Sequence, residues 1–357
     1  MLHGIHIIKA HIGNSNNMDN ESFAVIGDLH FGHKEDHDTF VKYQVHSYLK
    51  VIDDIKSKGI KTVIILGDST NNRKSITWTT MELVKDNLID PDLHYIIIVG
   101  NHDAYYKNTN KLSSIRQLFK DHENVDIIDT DAIEMTVDSN KCLFVPWMTD
   151  DNIDTCMSKI EASDATYCFG HFPINGALMT KGIVCGGTLK SKMFKKFKKV
   201  ISGHFHLKQK IGSNIIYIGS MCQLDWNDYG DSKVYLTVEK NVKSHQIVDD
   251  IFVKISIDKD FKFDDLAQYK DKFLKIYVNR KMKGVEESAL IEIIENCIKH
   301  EIIDNTIILD EALVDVKDQD FDKMVSEYLD TVDSPKKIKK KCYEIIINEY
   351  DTIQAGE

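Results

Sequence analysis

The chain has 357 residues, a formal net charge of −11, and 42% hydrophobic and 28% charged residues. The length predicts about two domains, and the balance is that of a soluble globular protein, neither disordered nor membrane-spanning. The acidic total argues against wholesale coating of nucleic acid but leaves a local basic face open. The N-terminus lacks the apolar core of a secretory signal. The seven cysteines form no C-x-x-C pair, which predicts reduced, buried thiols and a cytoplasmic location.

Residues 1–20 carry Gly13-Asn14-Ser15-Asn16-Asn17 without a period and are expected to be a flexible lead-in, with Met18 an alternative start. From Phe23 to about Val238 apolar strands alternate with helical segments. Phe40, Val41, Val45, Tyr48, Leu49, Ile52 and Ile55 fit a helix ending near Gly59, and further helices are expected over Thr77–Leu88 and Leu112–Phe119. Strands recur at Val125–Ile128, Cys142–Val145, Ile215–Ile218 and Val234–Val238. Within this stretch the run 190–199 is strongly basic and reads either as a solvated helix face or as a cationic patch. Beyond about 245 come strands at Ile251–Ile257, Phe273–Val278 and Thr306–Leu309 and a helix at Glu286–Lys299. After Asp310 an acidic linker leads to two amphipathic helices, one with Phe321, Met324, Val325, Tyr328 and Leu329, the other with Ile338, Cys342, Ile345, Ile346 and Tyr350, capped by Ser334-Pro335. The expectation is an α/β class: a layered core (21–245) flanked by helices, a small α/β domain (246–312) and a C-terminal helix pair (313–357).

One phrase recurs five times: a β-branched or apolar run, one glycine, then a residue able to bind a metal. It appears as Val25-Ile26-Gly27-Asp28-Leu29-His30, Ile65-Leu66-Gly67-Asp68, Ile98-Val99-Gly100-Asn101-His102-Asp103, Cys168-Phe169-Gly170-His171 and Ile201-Ser202-Gly203-His204-Phe205-His206. Singly these are weak: Asp-x-His arises by chance, Gly-Asp is commonly a turn, and His171 alone reads as a core histidine. Gly-His-Phe-His is stronger, because residues i and i+2 at a strand end present two imidazoles together. Their shared grammar is stronger still, since ligands gather beyond the carboxyl ends of such strands. A two-metal centre on one rim, the kind that cleaves phosphate esters, is the leading reading. The mixed nitrogen and oxygen donors suit Mn²⁺, Fe²⁺ or Zn²⁺ better than Mg²⁺.

In that order the motifs resemble the calcineurin-like metallophosphoesterase superfamily, and within it the SbcD-like nuclease subunits of recombination and repair complexes, the bacteriophage recombination endonucleases in particular. The narrower likeness rests on Gly27-Asp28-Leu29-His30-Phe31-Gly32, Arg73-Lys74, Val99-Gly100-Asn101-His102-Asp103, Pro146-Trp147-Met148, Ser202-Gly203-His204-Phe205-His206 and Tyr217-Ile218-Gly219-Ser220. It covers residues 23–240 firmly and the rest in general plan. The resemblance implies two divalent ions, Mn²⁺, one held by Asp28, His30 and His206 and the other by Asn101, His171 and His204, with Asp68 bridging. It further implies that His102 assists the leaving group, that Asp103 orients its ring, and that Arg73 and Lys74 contact phosphate. Ser69-Thr70-Asn71 departs from the cellular nucleases and puts the DNA contacts of that loop in doubt. His33 and His37 read as surplus.

The implied activity is an Mn-dependent DNA exonuclease or endonuclease working in recombination, repair and replication. Its implied partners are DNA, a second copy of the chain within a heterotetramer, and an SMC-like coiled-coil ATPase held by the C-terminal helices; no membrane is implicated. Trp78, Met81, Leu83, Leu112, Ile115 and Leu118 would supply the dimer patch. Two competing readings are a small-molecule or cyclic-nucleotide phosphodiesterase, which would not need the extra domain and tail, and an idle binding scaffold, which degenerate ligands would mark.

Overall fold

The computed structural model describes residues 22–246, 248–306, 321–332, 334 and 336–354. They divide into two compact units, one running to Val253 with Asp271–Phe273, the other comprising Lys254–Lys270 and the chain from Leu274 onward.

In the first unit the apolar runs pair into two six-stranded sheets. One has the order β14-β13-β1-β2-β3-β4 and the other β11-β12-β10-β7-β6-β5. The first contains β1 (Phe23–Ile26), β2 (Thr62–Ile65), β3 (His94–Ile98), β4 (Val125–Ile128), β13 (Tyr235–Val238) and β14 (Val242–His245). The second contains β5 (Ile133–Val137), β6 (Asn140–Val145), β7 (Tyr167–His171), β10 (Lys199–Gly203), β11 (Gln209–Ile211) and β12 (Ile215–Tyr217). A two-stranded ribbon, β8 (Leu178–Thr180) and β9 (Ile183–Val184), lies between them in sequence. Strands β1 to β4 are parallel, as are β6, β7, β10 and β12, while β13, β14, β5 and β11 pair antiparallel at the margins. The class expected from the sequence is therefore the class observed.

Period-2 alternation decides what each face buries. Phe23, Val25, Ile64, Ile96 and Ile98 of one sheet join Phe144, Tyr167, Phe169 and Ile201 of the other in a single cluster. The alternate residues Leu143, Val145, Cys168 and Val200 pack instead with Cys156 and Ile160 of α4 (Ile153–Ala162). On the far side of the first sheet, α1 (Asp38–Ser57) buries Phe40, Val41, Val45, Tyr48, Val51, Ile52 and Ile55. Its Tyr48 hydroxyl lies 3.5 Å from that of Tyr95 on β3. Each such aliphatic or aromatic side chain contributes roughly 1.5–3 kcal/mol on burial.

Side-chain caps set two further helix starts. Thr77 Oγ1 accepts the Thr80 amide at the head of α2 (Trp78–Asn87), and Ser113 Oγ accepts the Arg116 amide at the head of α3 (Ser114–Phe119). The cap at Ser113 explains why α3 begins two residues later than its apolar pattern suggested. The basic run is not a helix face: only Ser191–Phe194 form a 3-10 turn, and Phe194 and Phe197 are buried. The Lys196 ammonium donates to the Glu161 and Ser163 carbonyls.

The second unit holds most of the three-stranded sheet β15 (Phe252–Ile257), β16 (Phe273–Val278) and β17 (Lys299–Asp304), together with α5 (Gly284–Asn296). Glu286 caps α5, and Arg280 grips its carboxylate with two nitrogens at 2.8 and 2.7 Å. The helix ends three residues short of Lys299, where the sequence reading continued it, because 299–304 is a strand. Most of the strand expected at Thr306–Leu309 lies outside the described residues, as do the lead-in 1–20, most of the acidic linker and Pro335. Helices α6 (Phe321–Thr331) and α7 (Lys336–Gln354) pack on each other. All seven cysteines are free and five are buried. No helix among the described residues is long and apolar enough to cross a membrane.

Candidate metal centre

Parallel pairing of β1, β2 and β3, and of β7 with β10, sends the residues after each strand to the same end of its sheet. Two contacts join the two ends into one rim. His171 Nδ1 donates to the Leu66 carbonyl at 2.8 Å, and the His204 amide donates to both Asp28 oxygens at 3.1 Å. His30, Asp68 and His204 have φ of 48°, 49° and 88°. Left-handed backbone at non-glycine residues costs of order 1–3 kcal/mol and clusters at functional sites. Two glycines permit this crowding. A Cβ on Gly67 would meet His171 Nδ1 at 2.7 Å, and one on Gly100 would meet Asp68 Oδ1 at 2.2 Å.

The donor atoms form two groups that share one carboxylate: His30, Asp68 and His102, and Asp68, His171 and His204. Asp68 Oδ2 lies 3.3 Å from His171 Nε2 and 3.6 Å from His30 Nε2. Asn101 Oδ1 lies 3.0 Å from His171 Nε2 and 2.9 Å from His204 Nδ1. His206 Nε2 faces His30 Nε2 at 2.9 Å.

This arrangement calls for positive charge at its centre. His171 has already spent its Nδ1 proton on Leu66, so a neutral ring would aim a lone pair at two acceptor oxygens, Asp68 Oδ2 and Asn101 Oδ1. Without a metal the ring must take a proton instead: burial opposes it, but Asp68 outweighs burial and raises its pKa to about 9. Burial pushes Asp68 upward, yet His171, His30 and His102 more than reverse that and hold it well below the carboxylate range. Burial, aided by Asp68, raises Asp28 to about 7 despite His171. Burial likewise lowers His204 to about 3 and holds His30 and His206 below their ordinary value, so these rings are neutral and ready to ligate. His30 Nδ1 is buried without a partner. A divalent ion in each donor group answers these demands together, and the residues fit the metals that the motifs imply.

Of the seven expected ligands, His30, Asp68, His171 and His204 fall in the donor groups, while Asn101 touches His171 and His204, His206 faces His30, and Asp28 lies beside His171. Asp28 spends both oxygens on the His204 amide and sits 3.5 Å from His171 Nδ1. His102 falls inside a donor group, where the sequence reading set it beside one. Its Nδ1 donates to the Asn71 carbonyl at 2.6 Å and its amide to Asp68 Oδ1 at 2.7 Å. The expected Asp103–His102 bond is replaced: Asp103 accepts the Thr70 and Gly100 amides, each at 2.9 Å. Buried, Asp103 ties the loops after β2 and β3 together. Arg73 Nη1 reaches the Ala104 and Tyr106 carbonyls at 3.4 and 3.5 Å, while Lys74 is exposed.

Three neighbours were not legible in the motifs, and a fourth, Trp147 of Pro146-Trp147-Met148, stood in a motif without a role. His33, read as surplus, bonds Asn71 Oδ1 at 3.0 Å, and its ring sits 6.4 Å from that of His30. Gln44 on α1 donates to the Leu29 and His30 carbonyls at 3.0 and 2.8 Å, fixing the turn after β1. Trp147 lies 5.1 Å from the His204 ring. Lys233 reaches across from its ion pair with Asp228 to the His206 carbonyl at 3.0 Å.

A two-sheet α/β core with clustered Asp, Asn and His at the parallel strand ends defines the class of metal-dependent phosphoesterases. Residues 22–208 match the calcineurin-like phosphoesterase family, and the chain belongs to that family. It is 28% identical over 316 residues, 86% of its own length and 91% of the relative's, to exonuclease subunit 1 of Enterobacteria phage T4. It is 26% identical over 230 residues, 62% of its length and 77% of the relative's, to putative phosphoesterase 244L of Invertebrate iridescent virus 6.

Proposed function

We propose that the chain is an Mn-dependent DNA phosphodiesterase, acting as the nuclease subunit of a nuclease–ATPase complex that processes DNA in recombination, repair and replication. The observation that carries the reading is the pair of donor groups sharing Asp68. Asp28, His30 and His206 would hold one ion, Asn101, His171 and His204 the other, with Asp68 common to both. When bound, two such ions activate a water and offset charge on the phosphate. The protein's own part is to position and to move a proton. Because His102 Nδ1 is bound to Asn71, its Nε2 is the atom free to carry a proton to the departing sugar oxygen. The carboxylates of Asp28, Asp68 and Asp103 form the buried floor of the site. Similarity to a phage exonuclease subunit along most of the chain supports DNA as the substrate.

The same similarity supports a partner. Tyr328, Ile338, Ile345 and Ile346 on α6 and α7 are exposed at 68, 52, 58 and 39%. Apolar side chains uncovered on paired helices suit a grip on an ATPase coiled coil. The dimer reading rests on α2, where Trp78 is 81% exposed; Ile115, fully buried, belongs to its own core and leaves that patch. The small domain, 246–312, would add contact with DNA. Linearised plasmid and bis(p-nitrophenyl) phosphate, each incubated with Mn²⁺, test the assignment. Cleavage of both is expected; cleavage of the small ester alone would make the chain a small-molecule phosphodiesterase.

A further inference from the structure

Beyond the metal-binding rim, the loops after β2 and β3 run side by side and are cross-braced outward. Asp103 holds Thr70, the Asn71 carbonyl holds His102, and Arg73 holds Ala104 and Tyr106. At the outer end stand two consecutive tyrosines, Tyr105 and Tyr106, 36 and 50% exposed, their rings 4.8 Å apart and edge to face. The Lys74 ammonium sits 6.0 Å over the Tyr105 ring.

Exposed aromatics at a loop tip are ordinarily mobile, but this loop is pinned at several points. The Tyr105 amide donates to the Leu112 carbonyl at 2.9 Å, and Ala104 bridges Ser113. Buried Asn110 donates to the Asp129 and Trp147 carbonyls at 2.9 and 2.6 Å, and the Asp151 amide donates to the Asn108 carbonyl at 3.3 Å. The rings are thus presented to solvent on a backbone that has little left to lose on binding. None of these braces needs an aromatic side chain, so folding does not explain the pair. Cations flank it, with Lys74 on one side and the exposed Lys107 following Tyr106 in the loop.

We propose that Tyr105 and Tyr106 form a stacking platform for a nucleobase of a single-stranded segment next to the phosphate being cut. This rests on the DNA reading above and deepens it. A rigid π-face with cations beside it is how proteins hold single strands without reading sequence. Tyr105 follows His102 by three residues on the same loop, so the platform would stand next to a phosphate held beside His102.

The test compares binding of a fluorescent dT12 strand with that of an abasic strand of equal length and charge, in EDTA so that neither is cut. The readout is the ratio of the two Kd values within each protein. The wild type is expected to favour dT12 by roughly 5–150-fold, the equivalent of ~1–3 kcal/mol for one stacked base. The double variant Tyr105→Ala, Tyr106→Ala should bring the ratio to about one, and Tyr105→Phe, Tyr106→Phe should keep it. A wild-type ratio near one would overturn the platform and leave the DNA reading standing. Loss of both strands in equal proportion on alanine substitution, or loss of the preference with phenylalanine, would overturn it as well. A wild type that binds neither strand and cuts no DNA defeats the DNA reading itself.

Discussion

Adding one methyl group at Gly100 should disable the centre without replacing a ligand. The Cβ of Gly100→Ala would lie 2.2 Å from Asp68 Oδ1 and 2.3 Å from Asp68 N, where ordinary contact begins near 3.4 Å. The shortfall is 1.2 Å between 2.2 Å and 3.4 Å, and Asp68 is poorly placed to yield it. Its nitrogen is backbone, and its Oδ1 accepts the His102 amide at 2.7 Å. Asn101 and His102 must therefore move instead. A displacement of about 1 Å at a catalytic centre costs on the order of 10² in rate, and overpacking costs ~1–3 kcal/mol of stability. Gly100→Ala should thus lower kcat on bis(p-nitrophenyl) phosphate about 10²-fold and the melting temperature by a few degrees. Gly186→Ala, where nothing lies within 4 Å and φ is not positive, is the matched control and should change neither. Wild-type turnover and metal content in Gly100→Ala would refute the claim that close backbone approach builds the centre.

His102→Gln should lower turnover by roughly 10²–10⁴ if its Nε2 serves as an acid; a parallel fall in bound metal would make it a ligand, as its place in a donor group allows. In EDTA the stability of the metal-free protein should fall as pH rises from 6.5 to 9. His171 is raised in the folded state to about 9, so its contribution is complete below the unfolded value of 6.5 and lost through about 9. Melting curves across that range should show the decline and Mn²⁺ should flatten it; a rise with pH would contradict the pairing with Asp68. Truncation after Asp318 should leave a folded hydrolase that no longer co-purifies with an ATPase partner. An insoluble product would mean that α6 and α7 belong to the core.

The strand–glycine–ligand phrases made the parallel strands and their rim legible, because a buried parallel strand is continuously apolar and a ligand at its end follows a tight turn. Strand β5 was missed: Ile133-Glu134-Met135-Thr136-Val137 alternates at an edge and is short. Helix α4 escaped too, with Cys156 and Ile160 as its buried residues and no strong cap. The ligand set could be read as types in order, whereas the partners of those ligands could not. Gln44, Asn71 and Lys233 act through backbone carbonyls or a single amide, and such contacts leave no periodic trace. The role first given to Asp103 failed for the same reason. The resemblance implied that Asp103 orients the His102 ring, but a buried carboxylate flanked by two amides takes those instead.

Metal stoichiometry tests the central claim most directly. The chain, stripped and then dialysed against Mn²⁺, should hold two ions as measured by elemental analysis. Asp68→Asn, which removes the one carboxylate common to both donor groups, should bind fewer and cut neither plasmid nor nitrophenyl ester, with its far-ultraviolet circular dichroism unchanged. Two tightly held ions and substantial cleavage in Asp68→Asn would contradict a shared two-metal centre.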